Sequence, residues 1–338
     1  MADRYQRIAR AIQEHPWALL PAALELLIEI VERRMAGYDL SVEEKEERIA
    51  AARGPMQPIR VLEAVDVEAA RGAGPGTVVA GAGQSVAVLP IYGIMAHRMH
   101  LFRDVSKQGT STEAVGQAFS QVINDPSVGA VILDIDSPGG SVFGTQELGD
   151  QIHAARGKKP VVAVASSMAA SAAYWVGSQA DELVVTPSGQ VGSIGVIAMH
   201  DDLSGAAEKE GVKRTFITAG RYKAEGHPFE PLSDEARAQI QTEVNRYYDS
   251  FVRAVARGRN VPLKDARGER FGEGRLLGAQ QAVDAGMADR VGTLDETIAR
   301  VSAKLAKASG GGGRRRAAEV DHARARLALA EAGGVSST

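Results

Sequence analysis

Two stretches, Val131-Ile-Leu-Asp-Ile-Asp-Ser-Pro-Gly-Gly140 and Val161-Val-Ala-Val-Ala-Ser-Ser-Met-Ala-Ala-Ser-Ala-Ala-Tyr-Trp175, decide the fold. Each opens as a short β-branched apolar run bounded by turn residues, the pattern of a strand buried on both faces. Each then empties into small residues: Asp136 to Gly140 after the first, Ser166 to Ala173 after the second. The second turns helical as it leaves the sheet, with Tyr174, Trp175 and Val176 packing behind it. A serine at such a strand-to-helix switch sits at a helix N-terminus, where free N–H groups and the dipole favour developing negative charge. A Gly-Gly pair on the neighbouring strand end lets a backbone N–H reach a substrate carbonyl with no Cβ in the way. A nucleophile on one loop and oxyanion donors on the next are what acyl transfer requires.

Composition narrows the remaining classes. The chain of 338 residues, 44% hydrophobic and 24% charged, has the make-up of a globular protein with one large core or two modest ones. A net charge of −3 gives no global argument for nucleic acid or an anionic membrane. With no cysteine, disulfides, thiolate metal sites and cysteine catalysis are excluded, which fits a reducing compartment. Met1 to Glu14 is charged and polar, unlike a secretory signal. Trp17 to Val31 is apolar but short for a membrane span, and Glu25 and Glu29 lie within it. Leu24, Leu27, Ile28 and Val31 fall at helical spacing, so the segment reads as an amphipathic helix docked on a partner or on the core.

Taken in order, residues 1–53 read as a helical N-terminal extension ending in the charge-rich Ser41 to Ile49. Residues 54–84 read as a Gly/Ala-rich linker with at most one short strand. Residues 85–307 form the main domain, and residues 308–338 a flexible Gly/Arg/Ala-rich tail. Within the domain, strands are expected at Val86–Ile94, Val131–Leu133, Val161–Ala165, Glu182–Thr186, Ile194–Met199 and Arg214–Thr218. Helices are expected from a cap at Thr112 to Val122, over Thr145–Ala155, Leu203–Glu210, Ser233–Arg257, Gln280–Ala285 and Asp295–Lys307. Strand, helix, strand, helix at this spacing makes right-handed βαβ crossovers on a parallel sheet, an α/β fold.

Five segments, in this order, resemble the serine–lysine peptidases of the signal peptide peptidase A family. They are Asp136-Ser-Pro-Gly-Gly140, Ser167-Met-Ala-Ala-Ser-Ala-Ala-Tyr-Trp175, Val191-Gly-Ser-Ile-Gly-Val196, Thr218-Ala-Gly-Arg-Tyr-Lys223, and Gly278 to Gly286 with Asp289-Arg-Val-Gly292. The likeness covers about residues 86–300 and implies a Clp-protease/crotonase-like core of repeated β-β-α and βαβ units. It implies Ser171 as nucleophile, Lys223 as general base, and the backbone N–H groups of Gly139, Gly140 and Ala172 as the oxyanion hole. Ala172-Ala173 stands where many relatives place Gly-Gly, which leaves the backbone donor available. Ser193 and Gly195 are candidates for the substrate groove. The helical extension, the Trp-Ala-Leu-Leu-Pro segment and the detachable tail look most like the phage head maturation branch. Its implied substrates are scaffold or capsid proteins and the chain itself, with self-cleavage near Gly310–Gly313. The expected setting is the host cytoplasm or the procapsid interior, as a homo-oligomer with no cofactor, metal, nucleic acid or membrane anchor. A soluble bacterial signal peptide peptidase, a crotonase-like acyl-CoA enzyme and a catalytically dead scaffold or minor capsid protein are the other readings.

Each assignment has a rival. A lysine with a pKa of about 10.4 is neutral in only about one molecule in 2,500 at pH 7, so a lysine base must be desolvated or set near positive charge; most loop lysines are simply solvated. Ser166 and Ser167 share the Ser171 loop, and Ser137 precedes Pro138. His200 competes with Lys223, since Clp-like proteases use histidine after a comparable interval. His97 and His100 have ligand-like spacing with only Asp104 nearby, a poor metal site. Asp134 and Asp136 flank a strand end, where carboxylates satisfy loop N–H groups.

Overall fold

The computed structural model describes residues 16–35, 60–62, 77–80, 85–97 and 109–308. The expected helix at Ser41–Ile49, His100, Asp104 and the tail from Gly310 onward lie outside the described residues. What is described is a mixed α/β fold with parallel and antiparallel strands and a helical extension. Three long strands, Ser85–Tyr92, Val128–Ser137 and Val161–Ala170, run parallel at the centre of the main sheet. Helix Thr112–Asn124 crosses over between the first two, and Thr145–Ala154 between the second and third. Gln190–Gly192 and Glu182–Val185 both pair with Val161–Ala170, and Leu276–Gly278 closes that side.

The central strands are covered on both faces, as parallel strands require. Alternate residues divide between two apolar clusters. Ala87, Leu89, Leu133, Ile135, Val161 and Ala163 face the crossover helices, where Phe119, Ile152, Trp175 and Phe251 are buried. Val86, Val88, Ile132, Val162 and Val164 face the other way, against Ile298, Val301 and Leu305 of the helix at residues 294–308. Trp175 stacks on Phe251 with ring centroids 4.7 Å apart, locking the helix that follows Ser171 to the long helix Asp234–Arg259.

A second, smaller sheet stands beside the end of the central strands. The pairing of Val128–Ser137 with Val161–Ala170 shifts register between Ile135 and Ser137. Beyond that irregularity Gly139–Ser141 leaves the main sheet and pairs with Met95–Ala96 on one side and Trp17–Leu19 on the other.

Several expectations are corrected. Trp17–Leu19 is a strand, and the helix begins only at Pro21, running to Met35. Its Leu24, Leu27 and Val31 are buried with Trp17 and Leu19 against Ile94 and Met199, so the apolar stripe covers this chain's own domain. Ile194–Met199 and Arg214–Thr218 are not strands, although Ile197 makes an isolated antiparallel bridge to Trp17. A β-branched run becomes a strand only where a neighbour takes its N–H and C=O groups; Ile217, 96% exposed, has none beside it. Ser111 rather than Thr112 caps the first crossover helix, its Oγ accepting from the Ala114 N–H at 3.2 Å. The segment read as a linker supplies two strands: Thr77–Ala80 pairs with Ser85–Tyr92, and Arg60–Leu62 beyond it forms the sheet edge.

Candidate active site

Ser171 follows the last residue of the Val161–Ala170 strand and caps the helix Ala172–Gly177. Its backbone takes φ 54°, ψ −118°, a conformation that side chains rarely adopt and that strains the chain by about 1–3 kcal/mol. The surroundings hold it there. Its N–H donates to the Gly192 carbonyl at 2.7 Å, its carbonyl accepts from the Trp175 N–H at 2.9 Å, and the residue is 1% exposed. Its Oγ is only loosely held, 3.5 Å from the Gly195 carbonyl.

The rival serines are occupied or out of place. Ser166 Oγ donates to the Asp134 carboxylate. Ser137 Oγ donates to the Gly93 carbonyl at 2.6 Å, and Ser167 is exposed. Asp134 accepts from Ser166 and from the Tyr92 hydroxyl, side-chain donors in place of the expected loop N–H groups. Burial holds the Asp134 carboxyl above the usual carboxylate range, against the pull of those two hydroxyls. Burial also raises the Tyr92 phenol, and the Asp134 charge adds to it.

Three backbone N–H groups are expected to receive the oxyanion, and the structure separates them. The Gly139 N–H donates to Ser137 Oγ at 3.2 Å, so that donor is spent inside the turn. The other two are Gly140, which lies opposite Ala18 in the pairing with Trp17–Leu19, and Ala172. Ala172 is the first helical residue, whose N–H has no intrahelical acceptor. Glycine is nonetheless required at 139: φ is +103°, and a Cβ there would stand 2.9 Å from the Ser171 Cβ. Ser193 and Gly195 lie on the segment facing Ser171. Ser193 takes φ 53° with its N–H on the Arg275 carbonyl at 2.8 Å, and a Cβ at Gly195 would meet open space.

Among the described residues, neither candidate base is hydrogen-bonded to Ser171, whose Oγ is near only the Gly195 carbonyl. Lys223 is exposed on a turn, and among the described residues no hydrogen bond or ion pair joins its side chain to Ser171. His200 Nε2 lies 3.3 Å from the His227 carbonyl. Residues 200–232, which carry both, expose Leu203, Val212, Phe216, Ile217 and Tyr222. Sequence reasoning missed the Trp17–Leu19 strand beside this site. Pro21, which starts a helix well and disfavours helix before it, was the available signal.

Among the described residues, no group of three or more His, Asp or Glu side chains is placed to hold a metal, and no helix is long and apolar enough to cross a membrane.

Peptidase family S49 matches residues 153–309, a span containing Ser171, Ser193, Gly195 and Lys223. The capsid assembly protease C of Escherichia phage lambda is 32% identical over 230 residues, covering 67% of this chain and 52% of that protein. The head-tail preconnector protein of Enterobacteria phage P21 is 30% identical over 298 residues, covering 88% of this chain and 57% of that one. The chain thus spans little more than half the length of these relatives. Among solved structures, a ClpP1 variant from Listeria monocytogenes covers 62% of this chain and 94% of its own at 16% identity, with a TM-score of 0.37, too distant a likeness to assign the fold. The family match, together with the two phage relatives, leads to one assignment: the chain belongs to peptidase family S49.

Proposed function

We propose that the protein is a serine endopeptidase working through Ser171 and Lys223 on a Clp-protease/crotonase-like core, and that it matures phage heads by cutting scaffold or capsid proteins. The observation that carries the reading is Ser171 itself, a strained serine with a nearly unengaged Oγ beside the Gly139–Gly140 turn. The names of the two phage relatives favour the head-maturation branch, and with it the host cytoplasm or procapsid as the setting. Lys223 takes the proton from Ser171 Oγ, and the oxygen attacks the peptide carbonyl. The tetrahedral oxyanion is held by the Gly140 and Ala172 N–H groups. Protonated Lys223 then gives its proton to the leaving amine, and water releases the acyl group from Ser171.

The exposed position of Lys223 supports a homo-oligomer in which the base of one copy serves the serine of another. Docking of the 200–232 arm on a neighbouring copy would cover Phe216 and Ile217 and strip water from the lysine, the environment a lysine base requires. The test uses a fluorophosphonate and a fluorogenic peptide. The adduct should map to Ser171, and Ser171→Ala and Lys223→Ala should each abolish turnover while His200→Ala keeps most of it. Mixing the two inactive variants should restore part of the activity. An adduct on another serine, or full activity in Lys223→Ala, would reject the dyad; no recovery after verified subunit exchange would reject the shared site.

A further inference from the structure

Ser171 does not face an empty cleft. Trp17–Leu19 pairs antiparallel with Gly139–Ser141, Leu19 opposite Gly139 and Ala18 opposite Gly140. The Leu20 N–H extends the pairing onto the Pro138 carbonyl at 3.1 Å. On its other edge, Trp17 exchanges two hydrogen bonds of 2.8 Å with Ile197, two residues beyond the Gly195 carbonyl that faces Ser171 Oγ. The segment is therefore an extended chain held on both sides by main-chain bonds. It reaches the nucleophile. The Ala18 carbonyl oxygen lies 2.3 Å, and the Ser171 Cβ 2.9 Å, from the one point where a Gly139 Cβ would stand.

A peptide to be cut there must bring an extended backbone to the same place and use the same N–H and C=O groups of Gly139–Ser141 and Ile197, as strand-adding ligands do. Those groups are already taken. Side chains anchor the occupant in the alternation of a strand. Trp17 and Leu19, 2% and 1% exposed, pack with Leu24, Leu27 and Val31, while Ala18 at 0% turns toward the main core.

We infer that Trp17–Leu19 is the chain's own ligand for its substrate cleft. It is a strap of extended peptide, with a small residue between two large apolar ones, that substrates must displace before Ser171 can act on them. The inference rests on Ser171 being the nucleophile. Displacement is feasible because only three residues form the strap, and a strand that short opens locally without global unfolding. The helix after it keeps its own anchors in Leu24, Leu27 and Val31.

The full chain provides two measurements. Trp17→Gly removes the larger anchor but leaves the backbone pairing available. It should raise the turnover of a fluorogenic peptide at least tenfold at low substrate, chiefly by lowering KM, and the synthetic peptide Pro-Trp-Ala-Leu-Leu-Pro should suppress that gain. In the unaltered protein, the amides of Trp17 and Ile197 should exchange slowly. They should exchange fast once an alanyl peptide boronate is seated on Ser171. Unchanged turnover in a folded Trp17→Gly, or amides that stay protected with the boronate bound, would overturn the strap. Absence of any fluorophosphonate or boronate adduct on Ser171 would instead remove the nucleophile on which it rests.

Discussion

Replacing Gly140 by alanine tests the oxyanion donor apart from the nucleophile. A Cβ at 140 would stand 1.9 Å from the Met95 carbonyl oxygen and 2.6 Å and 2.7 Å from the Met95 carbon and nitrogen. All three are backbone atoms of the strand that pairs with Gly140, so no side-chain rotation relieves the overlap. Real Cβ atoms stay beyond 3.0 Å of such neighbours, so the two strands must separate by about 1 Å. Gly140 is not among the glycines with positive φ, so the change adds no left-handed strain. Overpacking of this kind costs about 1–3 kcal/mol, which lowers Tm by roughly 2–4 °C per kcal/mol in a domain of ordinary size. The effect on chemistry is larger. A misplacement of about 1 Å, or loss of one oxyanion donor, lowers rates by about 10²-fold or more. The assay is kcat/KM on a fluorogenic peptide, with urea unfolding on the same preparation, in the Trp17→Gly background so that loosening of the strap does not mask the loss. A folded Gly140→Ala protein within threefold of its parent would refute the role given to the Gly140 N–H.

Ser171→Gly should abolish activity yet raise stability by about 1 kcal/mol, because glycine adopts φ 54° without strain; a lower urea midpoint would contradict the strain argument. Asp289 governs part of the acid response. Burial opposes its ionisation, but two hydrogen bonds from Arg259 at 2.8 Å and one from the Leu183 N–H at 2.7 Å outweigh that and hold its carboxyl below the ordinary value of 3.8. The stability it contributes is complete above that ordinary value and is lost as pH falls through the lower folded-state value. Asp289→Asn should therefore be less stable at neutral pH and show a shallower decline below about pH 4, measured by urea midpoints against pH; parallel pH profiles would refute this.

The parallel sheet and the strand-to-helix switch at Ser171 were legible because their signals are local. The runs at Val131 and Val161 carry their own strand pattern, and the small residues after each mark where backbones must approach closely. The cap at Ser233 and the long helix behind it were readable for the same reason. What was not legible depends on distant partners. Trp17 and Leu19 continue the apolar composition of the helix after them, and only pairing with Gly139–Ser141 and Ile197 makes them extended. Arg214–Thr218 shows the converse, a β-branched run that pairs with no strand among the described residues. The place of Lys223 belongs to this second kind. A motif names the residue, but in the described structure it is exposed and no hydrogen bond or ion pair joins it to Ser171.

The backbone angle at Ser171 has a bearing on history as well as mechanism. A serine held at φ 54° is a standing penalty that glycine would remove. Mutation toward glycine there is a single base change from some serine codons, and it would be favoured by any selection on folding alone. A lineage in which the chain had become a mere building block would thus have an easy route to relief. A serine held here against its preference is what selection for the proposed bond cleavage would require the chain to keep. Sequences in which this position has relaxed to glycine would be the first place to look for descendants that kept the fold and gave up the chemistry.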